Sequence, residues 1–471
     1  MIGGLGPYQG YKDSGVLWLG SVPEHWPVRR GKLLFSAEKD LNLDGRQKTI
    51  LSLTLRGVVK NDPDNPEGLV PKDYRSYQCF QEGDLVFKLI DLENLRTSRV
   101  GLVPEDGIMS SAYVRLVPRH DGVQRFFFHQ YFDLYQRGIF NQLGAGVRST
   151  LGPRDLLEIP VLAPDAAEQA AIVRFLDHAE RRIRRYIAAK KKLIAVLNEQ
   201  NQTIIHRAVT CGLDPCVRLK PSGVQWLGDV PAHWELRRVK QVTRILRGKF
   251  THRPRNDPSY YDGPYPFIQT GEVARAAKSI TLFRQTLNDR GLAVSKMFPR
   301  GTLVMTIAAN IGDVAVLDFE ACFPDSVVGF VPRPGVGRDF LFYVFKAMKG
   351  ELLLEAPVNT QGNLNVDRVG SRAIAVPPLP EQAEIVRVIE AETAKVQMAL
   401  SAARDEIALI LEYRTRLMVD VVCGKIDVRE AAMRLPDELD EPGPLAENAV
   451  ADEDERGDAE DPDIVLEEAE A

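Results

Sequence analysis

At 471 residues the chain exceeds one ordinary domain, and a hydrophobic share of 44% is enough to fill more than one core. No run of about 18 apolar residues argues for a membrane span, and residues 1–20 lack the basic stretch and apolar stretch of a secretory leader. The net charge of −5 hides a division, because residues 436–471 hold 16 Asp or Glu against one Arg, net −15, and leave +10 on residues 1–435, a footprint that suits a polyanion partner.

Taken in chain order, the first distinctive segment is Ser14-Gly-Val-Leu-Trp-Leu-Gly-Ser-Val-Pro-Glu-His-Trp26, followed by Arg29-Arg30. Residues 33–165 then mix β-like runs, Gly83 to Lys88 and Ala112 to Val117, with a helical stretch from Phe126 to Gly138. Pro160 and Pro164 introduce a long helix with apolar or small residues at Ile172, Leu176, Ala179, Ile183, Tyr186, Leu193, Leu197 and Ile204. Those steps of three and four are a heptad seam, and Gly212 ends it.

The opening segment then returns, 208 residues on, as Ser222-Gly-Val-Gln-Trp-Leu-Gly-Asp-Val-Pro-Ala-His-Trp234, with Arg237-Arg238 in train. Residues 241–378 do not align with residues 33–165, although their character is the same: runs at Pro266–Gln269, Gly301–Ile307 and Val327–Val331, then a helix over Arg338–Leu354. Pro377, Pro378 and Pro380 introduce a second long helix, with its seam at Ile385, Ile389, Val396, Leu400, Ala403, Ile407, Ile410, Leu417 and Val421. Its start, Glu381-Gln-Ala-Glu-Ile-Val-Arg387, repeats Glu168-Gln-Ala-Ala-Ile-Val-Arg174 at an offset of 213. Its end, Cys423-Gly-Lys-Ile-Asp427, resembles Cys211-Gly-Leu-Asp214. Three matched blocks in one order make an internal repeat. About 40 residues at about 1.5 Å each give rods of roughly 60 Å, and pairing the two is the economical way to cover their seams.

The parts of an enzyme are missing. There is no phosphate-binding loop with Gly-Lys-Ser/Thr, and Gly4-Leu-Gly6 and Gly144-Ala-Gly146 lack the third glycine of a dinucleotide site. The seven histidines include no His-x-x-x-His pair, and the repeated His25-Trp26 and His233-Trp234 read as structural corners. Asn256-Asp-Pro-Ser-Tyr260 imitates an amino-methyltransferase loop but lacks its second proline, and reads as an Asx-Pro turn. The five cysteines, Cys79, Cys211, Cys216, Cys322 and Cys423, suit a reducing cytoplasm as free thiols, since no second Cys or His pair stands near Cys211 and Cys216 at zinc-ligand spacing. No metal site and no cofactor of the chain's own are expected.

What remains is chemistry for DNA, where cations meet phosphates and amides or guanidines meet base edges. The second variable region offers Arg244, Arg247, Lys249, His252, Arg253 and Arg255 on one basic turn, then Gln269-Thr270-Gly271, and Asn359, Thr360, Gln361, Asn363 and Asn365 in one run. The first offers Arg56, Lys88, Arg96 with Arg99, and Arg148 in a glycine-rich loop. Each could equally be a solvated surface loop; the recurrence of such loops in both halves is the signal.

The repeated order, Ser-Gly-x-x-Trp-Leu-Gly-x-Val-Pro-x-His-Trp, variable region, Glu-Gln-Ala-x-Ile-Val helix, resembles the specificity subunits of Type I restriction–modification systems over roughly residues 11–430. Gly263–Gly271 and Asn359–Asn365 are similar to segments of that family's recognition domains. The resemblance implies a mixed α/β fold in which two target recognition domains are joined by an antiparallel coiled coil of the two long helices, with an internal pseudo-two-fold repeat. On this reading residues 1–165 form the first domain (repeated box 13–32), 166–212 a spacer helix, 213–380 the second domain (box 221–240), and 381–430 a second spacer helix. Residues 431–471 form an acidic tail expected to be disordered. Each domain would read one half of an asymmetric, bipartite double-stranded DNA site in the cytoplasm, the helices fixing the unread spacer. The partners implied are two methyltransferase subunits and a translocating endonuclease, which bring S-adenosylmethionine, ATP and Mg; no membrane is involved. Two alternatives stay open: a defence-system adaptor guiding methylation without restriction, and a protein-interaction scaffold that binds no DNA, which little salt dependence would reveal. A self-contained methyltransferase or nuclease is a third, tested by cofactor binding to the purified chain.

Overall fold

The computed structural model describes residues 5–55, 57–61, 73–90, 92, 98–119, 124–143, 150–252, 255–354 and 364–436. The chain divides into two compact units, the first taking in the described residues up to 189 together with 405–436, the second residues 190–404. Both are mixed α/β, as expected. Among the described residues no helix is long and apolar enough to cross a membrane.

In the first unit a four-stranded antiparallel sheet sets Phe35–Ala37, Val114–Pro118, Leu85–Phe87 and Val100–Leu102 side by side. The helix Gln124–Gln136 covers it because its aromatics fall on one face. Phe127 meets Phe35 edge-on at 5.3 Å, and Tyr131 meets Phe87 at 5.1 Å. On the other side Leu51, Leu53, Phe80, Val86, Val103 and Met109 form a smaller core under the hairpin Leu51–Thr54/Gly57–Lys60. Arg115 crosses the sheet to Asp84 at 2.5 Å, both side chains buried.

The second unit holds a five-stranded sheet in the order Thr243–Arg247, Val327–Pro332, Leu303–Thr306, Val314–Leu317 and Ser279–Ile280, antiparallel but for the last pairing. A second, four-stranded sheet orders Gln285–Leu287, Tyr261–Phe267, Ala321–Cys322 and Met297–Phe298. The expected helix spans Arg338–Leu354 and buries Phe340, Leu341, Val344, Phe345, Met348 and Leu352. Phe345 lies 4.8 Å from Phe330 of the larger sheet.

The two long helices run over Ala166–Cys211 and Leu379–Val422, 46 and 44 residues. In the first unit Ile172, Leu176 and Ala179 of one share a core with Leu417 and Val421 of the other, and Ile183 is buried as well. Arg414 reaches Glu180 at 2.6 Å across that pair, and Tyr186 donates to Glu406. In the second unit Ile205, Ala208 and Val209 join Ile385 and Ile389. The early part of one helix thus meets the late part of the other within the first unit, as an antiparallel pair requires. The expected seam departs from the structure in two places. Ile205 and not Ile204 is buried, and Tyr186 and Leu193 are about two-fifths exposed. A straight helix drifts from a strict seven-residue repeat, so one periodicity cannot hold over a helix of this length. The expected acidic tail starts later than residue 431, since Arg429–Met433 is helical and the described chain runs to Pro436.

Candidate functional site

Each repeated block proves to be one side of a corner, and the corner is built twice. Ser14 opens a tight turn in which its Oγ accepts from Val16 N–H at 3.1 Å and its N–H donates to the Gly20 carbonyl. Ser222 repeats this with Val224 at 3.1 Å and Gly228. Gly15 and Gly223 both sit at φ +69°, where a side chain is strained, so Ser-Gly recurs for a backbone reason. The His-Trp pair that follows then locks onto the start of a long helix. His25 Nε2 lies 2.9 Å from Glu168 Oε2, and His233 Nε2 lies 2.8 Å from Glu381 Oε2. The glutamine next in each helix turns back on the proline that precedes it: Gln169 Nε2 donates to Pro164 O at 2.7 Å, Gln382 Nε2 to Pro377 O at 2.8 Å.

The third block closes the corner. Gly212 and Gly424 end the helices at φ +75° and +74°. A Cβ at Gly212 would stand 3.2 Å from the Trp234 ring, and one at Gly424 would stand 3.0 Å from Trp26 and 2.5 Å from Pro23. In the first unit the start of one helix and the end of the other therefore meet at Trp26. In the second the same two roles are exchanged around Trp234. Both tryptophans are at most 1% exposed. The structural reading of His25 and His233 accounts for every repeated block, and Glu168 and Glu381 are the partners that repetition alone did not reveal.

The DNA candidates of the second unit cluster at one edge. Thr243–Arg247 is the outer strand of the five-stranded sheet, and Arg244, Arg247 and Lys249 are exposed on it or just past it. Gly248 lets the chain turn there, since a Cβ would fall 1.9 Å from the Pro324 carbonyl. Phe250 then buries itself and anchors the turn. His252 stacks on Tyr260 at 4.0 Å and pairs with Asp257 at 3.2 Å. The Ser259 N–H donated to Asp257, with His252 beside it, holds that carboxyl below the ordinary carboxylate range. Asp257 caps the single turn Pro258–Tyr260, which is the Asx-Pro turn expected. Arg255 is drawn to Asp325 at 2.6 Å.

Other candidates do structural work. Gln269 stands at the start of the helix Thr270–Arg275, where its backbone N–H donates to Glu272 at 3.0 Å and its side-chain amide bonds Gln285, while Thr270 is buried. Asn365 caps Val366–Ser371 by accepting from Asp367 N–H at 2.9 Å. In the first unit Lys88 and Arg99 face each other across adjacent strands, Lys88 N–H donating to Arg99 O at 3.0 Å. Arg99 is fully buried, so its guanidinium lies inside the fold and not on its surface. Arg56, Arg96, Arg148, Arg253, Asn359, Thr360, Gln361 and Asn363 lie outside the described residues. Among the described residues no group of three or more His, Cys, Asp or Glu is placed to hold a metal ion.

Residues 231–402 match the family model for the Type I restriction modification DNA specificity domain. A stretch of 124 residues is 26% identical to the Type I restriction enzyme MjaIX specificity subunit of Methanocaldococcus jannaschii, covering 26% of this chain and 28% of that relative. Among solved structures the chain is similar to one from work on complex assembly and conformational transition of the type I R-M system, with a TM-score of 0.62 and 16% identity over 85% of this chain and 98% of that one. It also aligns with the HsdS subunit of Thermoanaerobacter tengcongensis at a TM-score of 0.43 and 16% identity, over 86% and 98% of the two chains. At 16% identity the first likeness is one of fold. With one corner built twice around two different sheets, and the domain match over residues 231–402, the resemblance to Type I specificity subunits is borne out: most of the second unit is similar to a Type I restriction–modification DNA specificity domain.

Proposed function

We propose that this chain is the DNA-recognition subunit of a Type I restriction–modification complex, each unit reading one half of a bipartite, asymmetric double-stranded site. The observation that carries the reading is the contrast inside the repeat. The corners match atom for atom at His25–Glu168 and His233–Glu381, whereas the sheets between them differ in strand number and order. A common mount holding two different readers suits a target whose halves differ. Arg244, Arg247 and Lys249 serve as phosphate contacts at the exposed sheet edge, where cations release counterions on binding. The candidates outside the described residues, Arg56, Arg96, Arg148, Arg253, Asn359, Thr360, Gln361 and Asn363, are assigned to the same role by their chemistry.

The chain does no chemistry itself on this reading. Two methyltransferase subunits supply S-adenosylmethionine and modify adenine, and an endonuclease subunit supplies ATP-driven cleavage with Mg. The test is to co-express the chain with its methyltransferase, replace residues 241–378 by the corresponding region of a relative, and map methylated adenines across the host genome. A split motif that changes in one half, with a constant gap, is the expected result. A change in both halves would overturn the modular reading, and methylation that ignores the exchange would overturn recognition by this region.

A further inference from the structure

Over residues 174–185 the first long helix carries Arg174, Arg181, Arg182, Arg184 and Arg185 against Asp177 and Glu180. At about 100° per residue, Arg174, Arg181 and Arg185 fall within about 40° of one another. Their side of the helix is opposite the buried Ile172, Leu176, Ala179 and Ile183. Arg182 and Arg184 flank it and are exposed. The two carboxylates are already engaged, Asp177 by Arg125 at 2.8 Å, Glu180 by Arg184 at 2.8 Å and by Arg414 at 2.6 Å. By count, five arginines against two carboxylates, residues 174–185 carry a net charge of +3.

Arg174 also fixes where the acidic segment begins. Its Nη2 donates to Leu435 O at 2.9 Å and lies 3.4 Å from Pro436 O. The short helix Arg429–Met433 holds that end of the chain through the buried Ala431 and Ala432. Asp437, Glu438, Asp440 and Glu441 follow at once, and residues 437–471 together carry a net −15. From Arg174 to Arg181 is about 10 Å along the helix, a distance that three or four extended residues span.

We propose that the acidic segment 437–471 is an intramolecular ligand of this arginine face. Exposed ion pairs are individually weak, about 0.2–1 kcal/mol. Here one end of the polyanion is tethered beside Arg174, so each further pair forms at a high effective concentration. The segment covers the face at low salt and leaves it as screening rises. The occupant follows from where the chain stands at Pro436 and from the opposite charges, and it does not depend on what the recognition domains read.

The experiment places the photo-crosslinking residue p-benzoylphenylalanine at Ala188, exposed and on the same face of the helix, in the full chain and without DNA. Peptide mapping after irradiation is expected to find adducts within residues 437–471 at about 50 mM salt, falling several-fold at about 500 mM. The double variant Arg181→Glu with Arg185→Glu should lower the yield about tenfold. Neutralising Asp437→Asn, Glu438→Gln, Asp440→Asn and Glu441→Gln, which leaves the described fold untouched, should lower it as well. Adducts confined to other regions, no adducts, or a yield indifferent to both sets of substitutions would overturn the proposal. With no DNA present, none of these results bears on the recognition reading.

Discussion

Glu168 and Glu381 hold the same place in the two units, yet the first is 4% exposed and the second 31%. Around Glu168 two separate pieces of chain close the corner: Asp427 N–H donates to Gly6 O at 2.8 Å, Tyr8 packs on Trp26 at 5.6 Å, and Arg429 approaches the carboxylate at 3.6 Å. Burial and the nearby Glu168 carboxylate push the Tyr8 hydroxyl upward. Around Glu381 the chain passes from Cys211 into the next box without a break, and the Trp234 indole N–H donates to the carboxylate at 2.9 Å. The repeat therefore preserves the pairing that mounts a sheet on a helix and leaves open how that pairing is sealed from water.

The comparison breaks first at the tryptophans. Trp26→Ala and Trp234→Ala should each destabilise their unit by about 3–5 kcal/mol, read by denaturant unfolding. A loss under about 1 kcal/mol at either would mean that the corners are not equivalent. Acid should separate the units next. His129, on the helix covering the first unit's sheet, is buried, and burial pushes its imidazole down to about 4; the corresponding helix Arg338–Leu354 of the second unit has no histidine. The folded value lies below the unfolded one, so the unfolded chain binds more protons between them. Stability from neutral His129 is complete above pH about 6.5 and fades as pH falls towards 4, by at most about 3 kcal/mol. The difference in unfolding between the chain and His129→Gln, followed from pH 7 to 4.5, should shrink accordingly; a constant difference would refute a buried neutral ring.

Smaller effects sharpen the contrast at the glutamates. Glu168→Ala should cost about 2–3 kcal/mol and Glu381→Ala about 1–2 kcal/mol, because Glu168 is itself the more deeply buried carboxylate; equal losses would erase the distinction drawn from exposure. Last, Arg244→Ala or Arg247→Ala should weaken DNA binding about threefold to tenfold each and lower the salt slope by about one, measured by titration at several salt concentrations. Unchanged binding would move the interface away from that sheet edge.

Much of this architecture was legible in the residues. Apolar steps of three and four announce a helix whatever surrounds it, and proline and glycine mark its ends for steric reasons local to each position. The repeat was legible because the same turn, Ser-Gly-Val with glycine at φ +69°, needs the same residues twice. Loop chemistry was a poorer guide. Arginine, glutamine and asparagine suit base edges and phosphates, but they equally suit a buried position beside a strand, as at Arg99, a side-chain bond within the fold, as at Gln269, or a helix cap, as at Asn365.

By itself, then, the sequence determined the two long helices, the twofold repetition and the division of charge, since each depends on local geometry or on counting. Only the tertiary structure decided that His25 meets Glu168 across 143 positions and His233 meets Glu381 across 148. It alone set which arginines face water. Pairing and burial depend on where distant segments come together, and no local pattern carries that information.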